Sequence, residues 1–221
     1  MSKLQVLTVL SASALLGACV TATPPPLPAG AIGNATDNGD GTYSVIANST
    51  TYSLGAPGVT PDNELRFSGF APSALARGFS NADVTAIGGM LEDGTTFSGI
   101  SGAASTTVQT GGAATYTGRW AYTYAPSSGP LPVSGVGGTL TATADFGAGT
   151  LIGNPDPLAA FSFTATIDGV TFSGTASCNY PGGGCVYTVP LEGGFYGAAN
   201  AIGGAFAGTG LAGAFYATED P

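Results

Sequence analysis

Regular alternation of apolar and hydroxyl-bearing residues is the feature of this 221-residue sequence that most limits the folds open to it. Between residues 139 and 146, leucine, alanine and phenylalanine alternate with threonine and aspartate. Between residues 161 and 167, phenylalanine, alanine and isoleucine alternate with serine and threonine. Because successive side chains of a β-strand point to opposite faces of the sheet, this period of two predicts strands with one dry and one wet face.

The second half of the chain repeats this pattern with turns that are too short for anything but antiparallel neighbours. Eight strands are predicted there: Thr115–Tyr124, Gly138–Phe146, Gly149–Gly153, Ala160–Ile167, Val170–Cys178, Cys185–Gly197, Ala201–Gly208 and Leu211–Thr218. Eight such strands favour a closed up-and-down β-barrel whose interior is filled by side chains. Trp120, the single tryptophan, is predicted to lie in that core.

The first half also predicts strands, so the whole chain is expected to be all-β. A turn cluster at 37–41 precedes alternating segments at 42–46 and 51–54, and residues 86–101 indicate a strand, a turn and a strand. A glycine-rich break near Gly111 and Gly112 is predicted to separate two domains. The predicted organisation is a β-rich domain, called the handle, at 31–112 and an eight-stranded antiparallel β-barrel at 113–221.

Composition argues against catalysis. Histidine is absent, which removes most hydrolase triads, most zinc sites and the usual haem ligand. Lys3, the only lysine, lies in the leader, so a nucleophilic serine would have no lysine base. The formal net charge of −9 disfavours nucleic acid as a partner. We therefore predict no enzyme activity, no catalytic residues, no cofactor and no metal site.

The N-terminus has the pattern of a lipoprotein signal peptide at 1–18. Lys3 precedes an apolar run that is too short to span a bilayer. Residues 16–19, Leu-Gly-Ala-Cys, match a bacterial lipobox, which predicts cleavage before Cys19 and acylation of its thiol, with palmitate among the chains added. The alternative is an ordinary signal peptide with an incidental cysteine. Val20 follows Cys19 where an aspartate would favour inner-membrane retention, so known lipoprotein sorting predicts the outer membrane.

The other two cysteines, Cys178 and Cys185, are predicted to form a disulfide. They bracket a run of turn-forming residues between two predicted strands, on a chain that is exported to an oxidising compartment. A redox or metal pair is disfavoured because the spacing is not CxxC and no histidine is available. Before the handle, the lipidated cysteine and the proline-rich residues that follow it, 19–30, are predicted to form an extended linker.

The segment 66–83 is the least strand-like part of the exported chain. Pro72 and Gly78 are suited to begin and end a helical turn, so a loop with a helical turn is predicted. A small set of arginines and phenylalanines in this segment is a candidate ligand-contact surface: Arg66, Phe70, Arg77 and Phe79. The alternative is that the phenylalanines cap a small core while the arginines pair with Asp62, Glu64 or Asp83.

The C-terminal strands resemble those of transferrin-binding protein B-like surface lipoproteins, and the module as a whole resembles that family and factor H-binding protein-like domains. That family typically ends with a GGxFxG-type strand, a glycine-broken hairpin and a strand with a GxFxA-like run. The matching residues are Gly193-Gly194-Phe195-Tyr196-Gly197, Gly203-Gly204-Ala205-Phe206 and Gly213-Ala214-Phe215-Tyr216-Ala217.

The resemblance implies a lipid-anchored protein of the bacterial outer membrane, exposed at the cell surface, that binds a ligand without catalysis. Relatives bind iron-carrier proteins, haem or complement regulators, so iron or haem acquisition is an expected role, although the absence of histidine excludes haem held by imidazole. The partners implied are a protein or small solute, a surface lipoprotein exporter and a TonB-dependent receptor. The chain has room for a single handle–barrel lobe. The alternative function is a structural or adhesive envelope lipoprotein without a specific soluble ligand.

Overall fold

A computed structural model describes residues 28–68, 74–126, 135–154, 160–179 and 184–221. The leader, the lipobox and Cys19 lie outside these residues. Within the described residues the secondary structure is all strand, as predicted, and no helix is present that could span a membrane. The strands are β1 (Ala31–Asp37), β2 (Tyr43–Ala47), β3 (Thr50–Leu54), β4 (Gly58–Val59), β5 (Glu64–Ser68), β6 (Ala74–Ser80), β7 (Val84–Leu91), β8 (Thr96–Gly102), β9 (Ala113–Tyr124), β10 (Gly137–Asp145), β11 (Thr150–Gly153), β12 (Phe161–Asp168), β13 (Thr171–Cys178), β14 (Thr188–Tyr196), β15 (Ala201–Gly208) and β16 (Leu211–Glu219).

Strands β9 to β16 form a closed antiparallel barrel in sequence order, and β16 returns to pair with β9. Closure places Phe215 of β16 opposite Trp120 of β9. Each of the eight predicted strands overlaps its observed counterpart, and the predicted up-and-down barrel is confirmed. Alternation explains this agreement, because in β10 the exposed residues and the buried residues alternate along the strand.

Aromatic side chains fill the barrel. Trp120 is buried as predicted, stacks on Tyr122 with ring centroids 5.1 Å apart, and donates its indole N–H to the Thr139 carbonyl oxygen at 2.8 Å. Phe163 and Phe215 stack at 4.5 Å deeper in the same core. Because the interior is packed with rings, the barrel is a solid core and offers no channel.

Strands β1 to β8 form one sheet in the order β3-β2-β1-β8-β7-β6-β5-β4. All neighbours are antiparallel except β1 and β8, which are parallel. The sheet curls on itself, since Tyr43 of β2 meets Phe67 of β5 with ring centroids 5.5 Å apart although four strands lie between them in the sheet. The curl encloses a second hydrophobic core that includes Val45, Phe67 and Phe97.

Residues 74–80 correct the prediction of a helical turn between Pro72 and Gly78. They form strand β6, which pairs with β5 and β7, and Arg66 lies in β5. Pro72 and Phe70 lie outside the described residues. The prediction was wrong because the two faces of β6 do not differ clearly in polarity. Leu75, Arg77 and Phe79 share one face while Ala76, Gly78 and Ser80 share the other, so the sequence lacks the alternation of polar and apolar residues that marks a strand.

The curled sheet packs directly on the barrel wall through β7 and β16. A Cβ atom added to Gly88 would lie 2.4 Å from the Cα of Gly213, so the two backbones touch with no room for a side chain. Nearby, the hydroxyl of Thr96 donates a hydrogen bond to the Gly208 carbonyl oxygen at 2.7 Å. These contacts hold the curled sheet against the barrel, and β6 of that sheet also packs against β9 and β16 at the junction described below.

Candidate functional site

The junction between the curled sheet and the barrel gathers every arginine of the sequence. The chain has four basic residues, of which Lys3 lies in the leader, and the other three are Arg66, Arg77 and Arg119. Arg66 and Arg77 come from β5 and β6, and Arg119 comes from β9 of the barrel. In a chain with 13 acidic residues, the positive side chains of the part that the structure describes are therefore confined to one region of the surface.

Strand pairing explains why Arg66 and Arg77 meet. They lie opposite each other in the β5–β6 register, and Glu64 lies two residues before Arg66. Alternate residues of a strand share a face, so these three side chains project together. The intervening residues Leu65 and Phe67 point into the core of the curled sheet.

Glu64 is the centre of this cluster. Its carboxylate is buried and accepts hydrogen bonds from both guanidinium groups, from Arg77 at 2.5 Å and from Arg66 at 3.1 Å. The carboxylate also faces the barrel, because a Cβ added to Gly137 would lie 3.3 Å from its Oε2 atom. Glycine at that position leaves the space that the ion cluster occupies.

The two arginines differ in exposure, and this decides what each can do. The side chain of Arg77 is 12% exposed, and burial lowers the pKa of its guanidinium while the Glu64 carboxylate opposes that effect. The side chain of Arg66 is 55% exposed and borders a cleft of about 200 Å³ together with Ser68 and Leu75. Arg77 is therefore a structural partner of Glu64, whereas Arg66 keeps donors free for a ligand.

A second ion pair crosses from the barrel to the sheet. Arg119 donates to the carboxylate of Asp62 at 2.8 Å, and both side chains are partly exposed. This pair forms part of the wall of another cleft, of about 300 Å³, between the outer face of β9 and β16 and the end of β6.

The structure unites only part of the predicted contact surface. Arg66 and Arg77 come together through Glu64, one of the three acids that were considered as their partners. Phe79 lies on the same face of β6 but is buried, and Phe70 lies outside the described residues. Sequence reasoning missed Arg119 as a member of this region, since nothing local places it beside Asp62.

The predicted disulfide between Cys178 and Cys185 is present, with 5.7 Å between the two Cα atoms. It joins the end of β13 to the segment before β14 and borders neither cleft. Among the described residues, no group of acidic residues and cysteines is arranged to hold a metal ion.

A family profile for the C-lobe and N-lobe beta barrels of transferrin-binding protein B matches residues 108–219, which contain every strand of the barrel. The chain belongs to this family. Solved structures agree in fold. A transferrin-binding protein B variant from Haemophilus parasuis superposes on 84% of this chain with a TM-score of 0.53 and 19% identity. Transferrin-binding protein B from Neisseria meningitidis covers 80% with a TM-score of 0.53 and 18% identity.

This member of the transferrin-binding protein B family spans about two fifths of the length of those relatives, 42% and 39% respectively. No curated protein matches its sequence. The relatives are named for binding transferrin.

Proposed function

We propose that this protein is a lipid-anchored outer-membrane protein, displayed at the cell surface, that binds a protein ligand without catalysis. The observation that carries the proposal is that all three arginines lie at the junction between the curled sheet and the barrel. The relatives of this family member are named for binding transferrin. In an otherwise acidic protein this junction is the surface with donors for the carboxylates of a partner.

Arg66 is the residue proposed to contact the ligand. Its guanidinium is anchored on Glu64 through one nitrogen, so its position is set, while more than half of the side chain remains open to solvent. Arginine is enriched among residues that dominate binding energy, in part because a fixed guanidinium loses little freedom on binding. Arg77 holds Glu64 from the buried side and positions this contact.

The anchor is proposed to be Cys19, acylated after cleavage of the leader. A protein that captures ligands outside the cell would be moved across the envelope by a surface lipoprotein exporter and would transfer its ligand to a TonB-dependent receptor.

Protease treatment of intact cells, followed by immunoblotting, tests the location. Loss of this protein while a periplasmic control survives is the expected result, and the Cys19→Ser variant should be released from the membrane fraction. Full protection of the wild-type protein would indicate a structural lipoprotein that faces the periplasm.

Ligand binding is tested with iron-loaded transferrin as the probe, immobilised on a sensor surface, and the purified full chain in detergent. The Arg66→Gln variant should weaken binding by about tenfold or more, which corresponds to about 1.4 kcal/mol or more. Asp145→Asn changes one charge at the end of β10 that lies away from Gly137 and the junction, and it serves as the control. Equal binding by the wild type and Arg66→Gln would contradict the assignment of Arg66, and no binding by the wild type would contradict transferrin as the ligand.

A further inference from the structure

The cleft of about 300 Å³ beside Arg119 has the features of a second binding site, separate from Arg66. One wall is the outer face of the barrel, where Tyr216 lies opposite Arg119 in the strand register. The other wall comes from the curled sheet, through Asp62 before β5 and through Phe79 and Asn81 at the end of β6. The volume is at the lower end of the range for ligand sites, about 300–1,000 Å³, so the cleft suits a small molecule.

The polar groups of the cleft are mixed and sum to no net charge. Asp62 supplies carboxylate acceptors, Arg119 supplies guanidinium donors, and the two neutralise each other at 2.8 Å. Thr218 adds an exposed hydroxyl and Tyr216 a half-buried one, and each hydroxyl can both donate and accept. An ionic ligand would have to compete with the existing ion pair, so the cleft favours an uncharged ligand that is rich in hydroxyl groups.

An aromatic ring completes the pattern. Phe79 and Tyr216 both line the cleft, but Phe79 is buried, so the partly exposed Tyr216 is the ring that a ligand can contact. A sugar ring combines hydroxyls on its edge, which suit carboxylate, guanidinium and hydroxyl partners, with apolar C–H groups on its faces, which pack on aromatic rings.

The side chains of the cleft are held in place before any ligand arrives. The Asn81 side-chain oxygen accepts hydrogen bonds from the backbone N–H groups of Asp83 at 2.8 Å and Val84 at 3.0 Å, and the Asn81 side chain also hydrogen-bonds the Tyr216 phenol. Tyr216 and Thr218 stand on a strand of the closed barrel. Sites on rigid elements lose little entropy on binding.

We propose that this cleft between the barrel and the curled sheet binds a neutral saccharide, in the size range of a mono- or disaccharide. The ligand is held by Asp62, Arg119 and Thr218 at its hydroxyls and by Tyr216 at its C–H face. This inference does not depend on transferrin binding or on Arg66.

A glycan array of neutral mono- and disaccharides, probed with the purified full chain and followed by calorimetric titration of each hit, tests the proposal. The wild type should bind at least one neutral saccharide. The double variant Tyr216→Phe and Thr218→Val removes two hydroxyls at nearly constant size. Its affinity for the saccharide should be lower by about tenfold or more, which corresponds to about 1.4 kcal/mol or more. Thr143→Val, which removes an exposed hydroxyl from β10 outside the cleft, should leave the affinity within about twofold.

Two outcomes would overturn the proposal: no neutral saccharide bound by the wild type at millimolar concentration, or unchanged binding by the double variant. If the double variant unfolds at a lower temperature than the wild type, the single variant Thr218→Val, at an exposed position, decides instead. Arg66→Gln should bind the saccharide like the wild type, so failure of this site and failure of the proposed transferrin contact give different results.

Discussion

The Glu64 carboxylate, 4% exposed, is held by the buried guanidinium of Arg77 across the β5–β6 hairpin at 2.5 Å. Removing one partner of a buried ion pair leaves the other charge buried and uncompensated. Glu64→Ala should therefore lower the free energy of unfolding by about 3–5 kcal/mol, measured by urea denaturation.

Arg66 is the internal control for that measurement, since it contacts the same carboxylate from a side chain that is 55% exposed. Arg66→Ala should cost only about 0–1 kcal/mol, because solvent screens an exposed pair. Equal losses for the two variants would show that the burial of Arg77 does not set the strength of the cluster.

Contact between the glycine backbones of β7 and β16 predicts a steric requirement at Gly88. A Cβ atom there would lie 2.4 Å from the Gly213 Cα, so Gly88→Ala must push the sheet away from the barrel wall. Overpacking of this kind costs about 1–3 kcal/mol, which urea denaturation would detect. Gly55→Ala, at a position where an added Cβ meets nothing within 4 Å, should change stability by no more than about 0.5 kcal/mol. If Gly88→Ala left the free energy of unfolding unchanged, the two backbones would not be in contact.

The disulfide between Cys178 and Cys185 closes a short loop, with a sequence separation of 7. On the chain-entropy model, the double variant Cys178→Ser and Cys185→Ser should lose about 2–3 kcal/mol of stability. The urea midpoint of the wild type should fall on addition of a reductant, and the midpoint of the double variant should not move. A reductant-insensitive wild type would argue against a disulfide that contributes to stability.

Two buried phenols predict a loss of stability at alkaline pH. Burial raises the pKa of Tyr196 to about 12, and burial together with the nearby Glu219 carboxylate raises the pKa of Tyr116 to about 12, from an ordinary value of 10.0. Because the folded pKa lies above the unfolded one, this contribution is fully present below pH 10 and is lost as the pH rises from 10 to about 12.

In an ultraviolet titration of the folded protein, the two buried tyrosines should therefore ionise at a higher pH than the exposed tyrosines. The urea midpoint should fall as the pH rises from 10 to about 12. Tyr116→Phe removes one of the two groups, along with its hydrogen bond to the Ala199 carbonyl oxygen, and should reduce the steepness of that fall. Complete ionisation of the folded protein near pH 10 would contradict the prediction.

The barrel could be predicted closely from the sequence because its strands have one filled and one wet face. In β10, Leu140, Ala142 and Ala144 point inward between exposed threonines, so the local alternation of residues predicts which face lies inside the barrel. The same is true of β12, in which Phe161 and Phe163 are buried and Thr164 is exposed.

Strand β6 could not be predicted in this way, because the charged Arg77 shares a face with Leu75 and Phe79. The other face carries the small residues Ala76, Gly78 and Ser80, so the sequence shows no clear alternation of polar and apolar residues. The clefts depend on contacts between distant parts of the chain, such as Asp62 with Arg119, and a local pattern contains no information on these. The parallel pairing of β1 with β8 is hidden for the same reason.

Closure of the barrel has a consequence for how the protein behaves at high concentration. A closed barrel has no edge strands, because each of the described strands β9–β16 has a neighbouring strand on both sides. The curled sheet has two edges, β3 and β4, and β4 is only two residues long between Pro57 and Pro61. Proline and short length both discourage strand addition. Self-association into fibres or swapped dimers should therefore begin at β3, and a lysine introduced at the exposed Thr51 would be the first change to try for a sample that aggregates.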